Sequence, residues 1–290
     1  MTNKKNNIFD LTTQFWVKRT GKYVNLNEYP WLKGPLGEPD EIGSDYFEKF
    51  ALKNNFDVRK NVSGTGLMTD FNKLNNTDFN PYEVDSDIIK FYEKTTEYSL
   101  DIWSKWCGAF KPFGWLLNII FARRLQQMNM PIASDETSKG ISSEVYQLTD
   151  KDTNEVKVTG WLRRNLLTGN LIYAGCYSHC NLPESNLNCV KVVFPLPNGS
   201  ATVILKPVNC EGGALKIISS GKKIGSPGFY FIVYDKENHA WVKHVTNMKE
   251  ILHVYKDSQG IMRTDHNFRL FGFEFLHLHY KITAKTSLQK

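Results

Sequence analysis

The sequence predicts an α+β protein, in which a helical N-terminal section packs on one bent antiparallel sheet or open barrel of about eight strands. Apolar residues in the first half recur at steps of three and four, whereas after Val156 they alternate. Short turn sequences separate the apolar segments of the second half, which favours antiparallel pairing. We therefore expect a mainly helical section over residues 1–145 and a β section over 146–290, and since no long linker separates them, one shared core.

Three segments of the first section are predicted to be helices. Ser44 is suited to cap the first, which places Phe47 and Ala51 on one side. The second begins at Asp85 or Ser86 and ends before Gly108, with interior positions at three- and four-residue steps. The third, Phe113 to Met128, is apolar on most sides. In the second helix the residues expected to face the core are Ile88, Tyr92, Ile102 and Trp106.

The second section contains eight predicted strands and one short helix around Asn247–Tyr255. Asn198-Gly199 between two strands predicts a tight hairpin with a positive φ at Gly199. The strands are Val156–Arg164, Leu171–Ser178, Val190–Leu196, Ala201–Pro207, Leu215–Ser219, Phe229–Tyr234, Arg263–Leu270 and Phe273–Ile282.

Composition favours a soluble protein of the cytoplasm. Hydrophobic residues make up 41% and charged residues 23% of the 290 positions, as in ordinary folded proteins. No apolar run approaches the length of a spanning helix, and no signal peptide is expected at the N-terminus, so transmembrane insertion is not predicted. Five cysteines without a framework spacing favour a reducing compartment.

Charge and chemistry-bearing side chains are concentrated in the second half. All seven histidines and four of the five cysteines lie there, and from Lys151 onward 18 Lys and Arg face 10 Asp and Glu. This permits an interaction module that uses a basic sheet surface. Nucleic acid is not the expected partner, because Gly228–Tyr234 lacks the basic and small residues of an RNA-stacking strand.

The first functional hypothesis is a non-catalytic or weakly catalytic protein that binds a small apolar or amphipathic ligand. An apolar helix against a bent sheet can wall a pocket. We expect the pocket between the Phe113–Met128 helix and the sheet, with Trp115, Ile119, Phe273 and Phe275 in its lining. The same helix, with Trp115 and two terminal arginines, also allows peripheral contact with a membrane surface.

The second hypothesis is a metal-dependent or Cys/His enzyme centred on His277 and His279. Histidines two apart on a strand point to the same face and can share a metal ion. A third ligand would come from a neighbouring strand, and His266 is the most suitable position. The alternative reading of the pair is two packed or hydrogen-bonded histidines at a sheet rim, and the residues indicate no particular cofactor.

Overall fold

The computed structural model describes residues 8–37, 42–108, 127 and 139–285. In these ranges the chain forms fourteen strands, three short α-helices and several single-turn 3₁₀ helices. The helices are α1 (Ile8–Thr20), α2 (Tyr46–Asn54) and α3 (Ser86–Glu93). The strands are β1 (Lys22–Asn25), β2 (Phe56–Lys60), β3 (Tyr98–Trp106), β4 (Ile141–Asp150), β5 (Val156–Asn165), β6 (Leu171–Leu182), β7 (Leu187–Leu196), β8 (Gly199–Asn209), β9 (Leu215–Ser219), β10 (Gly228–Lys236), β11 (His239–His244), β12 (Met248–Lys256), β13 (Met262–Leu270) and β14 (Phe273–Ala284).

The predicted fold class is wrong. The protein is mostly one large antiparallel sheet, and a helical N-terminal section does not pack on an eight-stranded sheet. Each of the eight predicted strands overlaps an observed strand, but β1, β2, β3, β4, β11 and β12 were not predicted. Strands from both halves pair directly, as β3 does with β14, and the largest apolar cluster draws residues from both. The boundary between residues 145 and 146 falls inside β4.

Two of the errors have the same physical origin. The predicted helix from Asp85 to Trp106 ends at Glu93, and β3 follows with Tyr98, Leu100 and Ile102 buried at every second position. The predicted helix around Asn247–Tyr255 is β12, which pairs with β9 and β13. In both segments the few apolar residues fit the helical period and the strand period equally well. Pairing with strands far along the chain decides between helix and strand. The predicted Phe113–Met128 helix lies outside the described residues, apart from Gln127.

β8 is the branch point of the sheet. Along one edge it pairs with β7. Along the other it pairs first with β10 and then, beyond Leu205, with β9. One branch continues through β10 and β11 to β1, and the other continues through β9, β12, β13 and β14 to β3. The remaining path runs from β7 through β6, β5 and β4 to β2.

The sheet curls so that strands far apart in its order come together. The guanidinium carbon of Arg163 on β5 lies 5.7 Å from the ring centre of Tyr280 on β14, although six strands separate these two along the sheet. This curvature leaves a partly open cavity between the strands.

The side chain of Gln127 replaces backbone hydrogen bonds that are missing between β6 and β7. The register that pairs Cys176 with Val193 would next pair Ala174 with Pro195, and proline has no backbone N–H to donate. The Gln127 amide donates to the carbonyls of Ala174 at 3.0 Å and Pro195 at 3.2 Å, and its oxygen accepts the Ala174 N–H at 3.0 Å. The side chain is buried, so these three bonds satisfy groups that water does not reach.

We predict that Gln127→Met destabilises the protein by about 2–4 kcal/mol, because three hydrogen bonds are lost and two carbonyls and one N–H stay buried without partners. Denaturant unfolding measures the change. Gln14→Met removes a single bond of 3.4 Å to the Pro197 carbonyl and serves as the control, with an expected effect below about 1 kcal/mol. Equal effects of the two substitutions would contradict the bridging role.

The predicted hairpin between β7 and β8 is confirmed, but its residues have other roles than expected. Leu196 pairs with Gly199, and the two-residue loop is Pro197-Asn198. The positive φ, 55°, belongs to Asn198, not to Gly199. Gly199 is needed because a Cβ there would fall on the carbonyl oxygen of Ile232, where β10 approaches β8 closely.

Gly199→Ala is therefore expected to destabilise the protein by about 1–3 kcal/mol, since backbone must move apart at the branch point of the sheet. Asn198→Gly is the matched control, because glycine accepts a positive φ without steric cost. Its expected effect on the free energy of unfolding is below about 0.5 kcal/mol. If the two variants melt at the same temperature, the close approach of β8 and β10 has been misassigned.

Candidate functional site: an apolar cavity with a polar side

A cavity of about 530 Å³ lies inside the curled sheet. Small-molecule sites in proteins span roughly 300–1,000 Å³. Most of its wall is apolar, as is usual for the sites at which proteins bind small apolar molecules. The apolar walls come from β3, β5, β7, β8, β9, β10, β12, β13 and β14, and α1 contributes Thr13, Gln14 and Val17 at one end.

The four residues predicted for the pocket have different positions. Phe275 lines the cavity and packs on Phe268, at a ring-centre distance of 6.0 Å. A β-bulge between Phe268 and Arg269 shifts the register here, and Phe273, 69% exposed, lies at the tip of the β13–β14 hairpin instead. Trp115 and Ile119 lie outside the described residues.

Polar side chains gather on one side of the cavity. We call this set the tyrosine–glutamate cluster; its members, all in the lining, are Tyr92, Tyr173, Tyr177, Glu250, His266 and Tyr280. Glu250 Oε1 lies 2.7 Å from His266 Nε2, and the His266 ring lies 6.3 Å from that of Tyr280. Tyr173 and Tyr177 are joined by a side-chain hydrogen bond.

The cluster keeps its hydroxyl protons. Burial raises the pKa of Tyr92, Tyr173, Tyr177 and Tyr280, so all four phenols remain neutral at physiological pH. The hydroxyls of Tyr92 and Tyr280 have no hydrogen-bond partner among the described residues. They are therefore available as donors to a molecule in the cavity.

Arg163 lies directly behind the cluster and is 1% exposed. Its guanidinium carbon lies 4.9 Å from the ring centre of Trp161 and 5.7 Å from that of Tyr280, and it is hydrogen-bonded to Tyr173. Its Nε and Nη2 are buried without a partner. Arg163 does not line the cavity itself, so the surrounding rings keep its N–H groups out of that space.

The three predicted metal ligands do not come together. His277 and His279 face outward on β14, where Asp265 Oδ1 lies 3.4 Å from His277 Nε2 and 2.8 Å from His279 Nδ1. His266 faces the cavity on the opposite side of the sheet, because neighbouring residues of a strand point to opposite faces. In the described ranges no three His, Cys, Asp or Glu side chains form a group that could hold a metal ion.

Three of the five cysteines are poorly suited to nucleophilic chemistry. All five are free, and burial raises the pKa of the Cys180 thiol to about 12. The thiols of Cys176 and Cys189 are raised in pKa for the same reason. Thiolate is the reactive form, so these groups behave as small core residues.

Sequence reasoning missed the tyrosine–glutamate cluster apart from His266. Glu250 was assigned to a helix, in which its side chain would be an ordinary surface charge. In β12 it follows Met248 and precedes Leu252 on the inward face. The sequence did contain one indication of the cluster, on β5. Trp161 and Arg163 are two residues apart, so they lie on the same face of this strand, and both are buried.

Comparison with known proteins gives little functional information. No protein-family model matches the sequence, and no solved structure matches it. The chain is 26% identical over 246 residues to a protein of Bacillus subtilis (strain 168) named "Uncharacterized membrane protein YndJ". The match covers 84% of this chain and 41% of that protein, so the chain spans about two fifths of the length of this relative. None of the described helices is long and apolar enough to cross a membrane.

A buried histidine outside the cavity gives the protein a predictable acid sensitivity. His244 on β11 stacks on Tyr230 at 4.4 Å, and neither ring nitrogen has a partner among the described residues. Burial, with a smaller contribution from Lys243, lowers the pKa of His244 to about 4. The ring is therefore held neutral in the folded protein at a pH at which the unfolded chain takes up a proton.

Because the folded pKa lies below the unfolded value near 6.5, stability is retained above that value and lost as the pH falls from about 6.5 toward 4. We expect His244 to contribute a loss of about 1 kcal/mol between pH 7.5 and 5.5. His244→Phe should abolish this part of the pH dependence in thermal unfolding, and the half-buried His239→Phe should keep it. A His244→Phe protein with the pH profile of the wild type would contradict the assignment.

Proposed function

We propose that the protein binds a small apolar or amphipathic molecule in the cavity of the curled sheet. The observation that carries the proposal is a cavity of about 530 Å³ whose wall is mostly apolar and has the tyrosine–glutamate cluster on one side. A core that served stability alone would fill such a space, since interiors are normally packed to near crystal density. The five free cysteines support a reducing compartment, and we place this function in the cytoplasm.

Binding is tested with the neutral fluorophore N-phenyl-1-naphthylamine, whose emission rises in apolar surroundings. We expect saturable binding to the full chain at a one-to-one ratio, because the cavity is a single compartment. Mass spectrometry under native conditions, on protein purified without detergent, examines whether a small molecule is retained. Absence of saturable binding by protein freed of any retained molecule would remove the proposal.

A substitution that fills the cavity tests whether the fluorophore binds there. Val192 on β7 lines the cavity, and Val192→Phe adds volume to that space. We expect the affinity for the fluorophore to fall at least tenfold, on the order of 1.4 kcal/mol, with a melting temperature that is unchanged or raised. The matched control is Val58→Phe on β2, where the side chain is 37% exposed. Equal fluorophore affinity in the two variants would place the binding site elsewhere.

A further inference from the structure

The cavity contains an acceptor without a donor. Glu250 is 8% exposed, and its Oε1 is taken by His266, whereas no described residue donates to its Oε2. Glu250 lines the cavity, so a molecule inside can reach this oxygen. A carboxylate oxygen that faces a mostly apolar cavity without a donor from the protein is costly, and a ligand that donates a hydrogen bond to it removes that cost.

The same side of the cavity contains donors without acceptors. The hydroxyls of Tyr92 and Tyr280 have no partner among the described residues, and the two tyrosines interact electrostatically with the same neighbour, Tyr177. Both phenols keep their protons because burial raises each pKa. The polar group of a fitting ligand must therefore both donate and accept.

The charges around the cavity disfavour a ligand with an ionised head group, either a carboxylate or an ammonium group. A carboxylate in the cavity would meet Glu250, the one carboxylate among the described lining residues, while the unpaired N–H groups of Arg163 are sealed behind the rings. An ammonium group could pair with Glu250, but the positive charge of Arg163, which acts together with Glu250 on Tyr173 and Tyr280, offsets this attraction. In this low-dielectric space an unpaired charge is costly in either case.

From this juxtaposition we infer that the ligand of the proposed cavity site is an uncharged amphiphile with a hydroxyl-type head group, which donates to Glu250 Oε2 and accepts from Tyr280 or Tyr92. The inference rests on the proposed ligand-binding function. The apolar part of the molecule lies against the aromatic and aliphatic walls formed by residues such as Trp106, Phe229 and Leu276.

Three ten-carbon molecules with the same chain test the head group. 1-Decanol, decanoate and decylamine compete with N-phenyl-1-naphthylamine for the 290-residue chain at pH 7.5, each below its solubility limit or micelle concentration. We expect decanol to displace the fluorophore with an inhibition constant at least tenfold below those of the two ions. Equal or better displacement by decanoate or decylamine would overturn the inference, whereas the proposed function would fail only if the fluorophore itself did not bind.

Two variants, Glu250→Gln and Tyr280→Phe, test whether the preference for an uncharged head group arises at the tyrosine–glutamate cluster. Glu250→Gln removes the negative charge and leaves Arg163 in place, so decanoate is expected to bind at least fivefold more tightly and decanol several-fold more weakly. Glu274→Gln, on the outer face of β14 beside Asn267, is the matched control and leaves both constants unchanged. Tyr280→Phe removes one hydroxyl, weakens decanol several-fold and spares the fluorophore. If neither Glu250→Gln nor Tyr280→Phe alters the order of the three molecules, the head group does not lie at this cluster and the inference is wrong.

Discussion

The whole sheet depends on β8, because this strand has three neighbours and only two edges. β7 occupies one edge, and β10 and β9 divide the other. The two branches that begin there diverge, so the fourteen strands cannot form one flat layer. Gly199 permits the close approach of β10 at the start of β8, and β9 replaces β10 beyond Leu205. The cavity between the strands follows from this divergence together with the inherent twist of the strands.

The cavity lowers the stability of the fold. Its walls expose apolar atoms to an empty volume and forgo the dispersion contacts of a packed core. The tyrosine–glutamate cluster adds to the cost, because it buries a carboxylate, an imidazole and four phenols and satisfies them only in part. Such partly satisfied polar networks are strongly unfavourable in an apolar interior. This cost is what the proposed ligand would offset.

The two faces of the β13–β14 hairpin show how different chemistry is kept apart. Outward, Asp265 holds His277 and His279 in a polar patch that water reaches. On the inward face, His266, which directly follows Asp265 in the chain, is buried beside Glu250. The alternation of a strand thus separates three histidines that are close in sequence and in register. This separation is the physical reason that the predicted metal site is not formed by those three residues.

The sequence by itself determined the strands that alternate clearly and are bounded by turn residues, such as β9, whose ends were predicted at Leu215 and Ser219. It also determined that a hairpin joins β7 and β8, but not which two residues form its loop. These features depend on interactions between residues close in the chain. It also determined that His277 and His279 share a face, because that follows from the period of a strand. Only the tertiary structure decided that β3 and β12 are strands, since their pairing partners lie far away in sequence. It alone brought Tyr92, Glu250 and Tyr280 to one cavity, because they come from three separate elements and meet only when the sheet curls and closes around them.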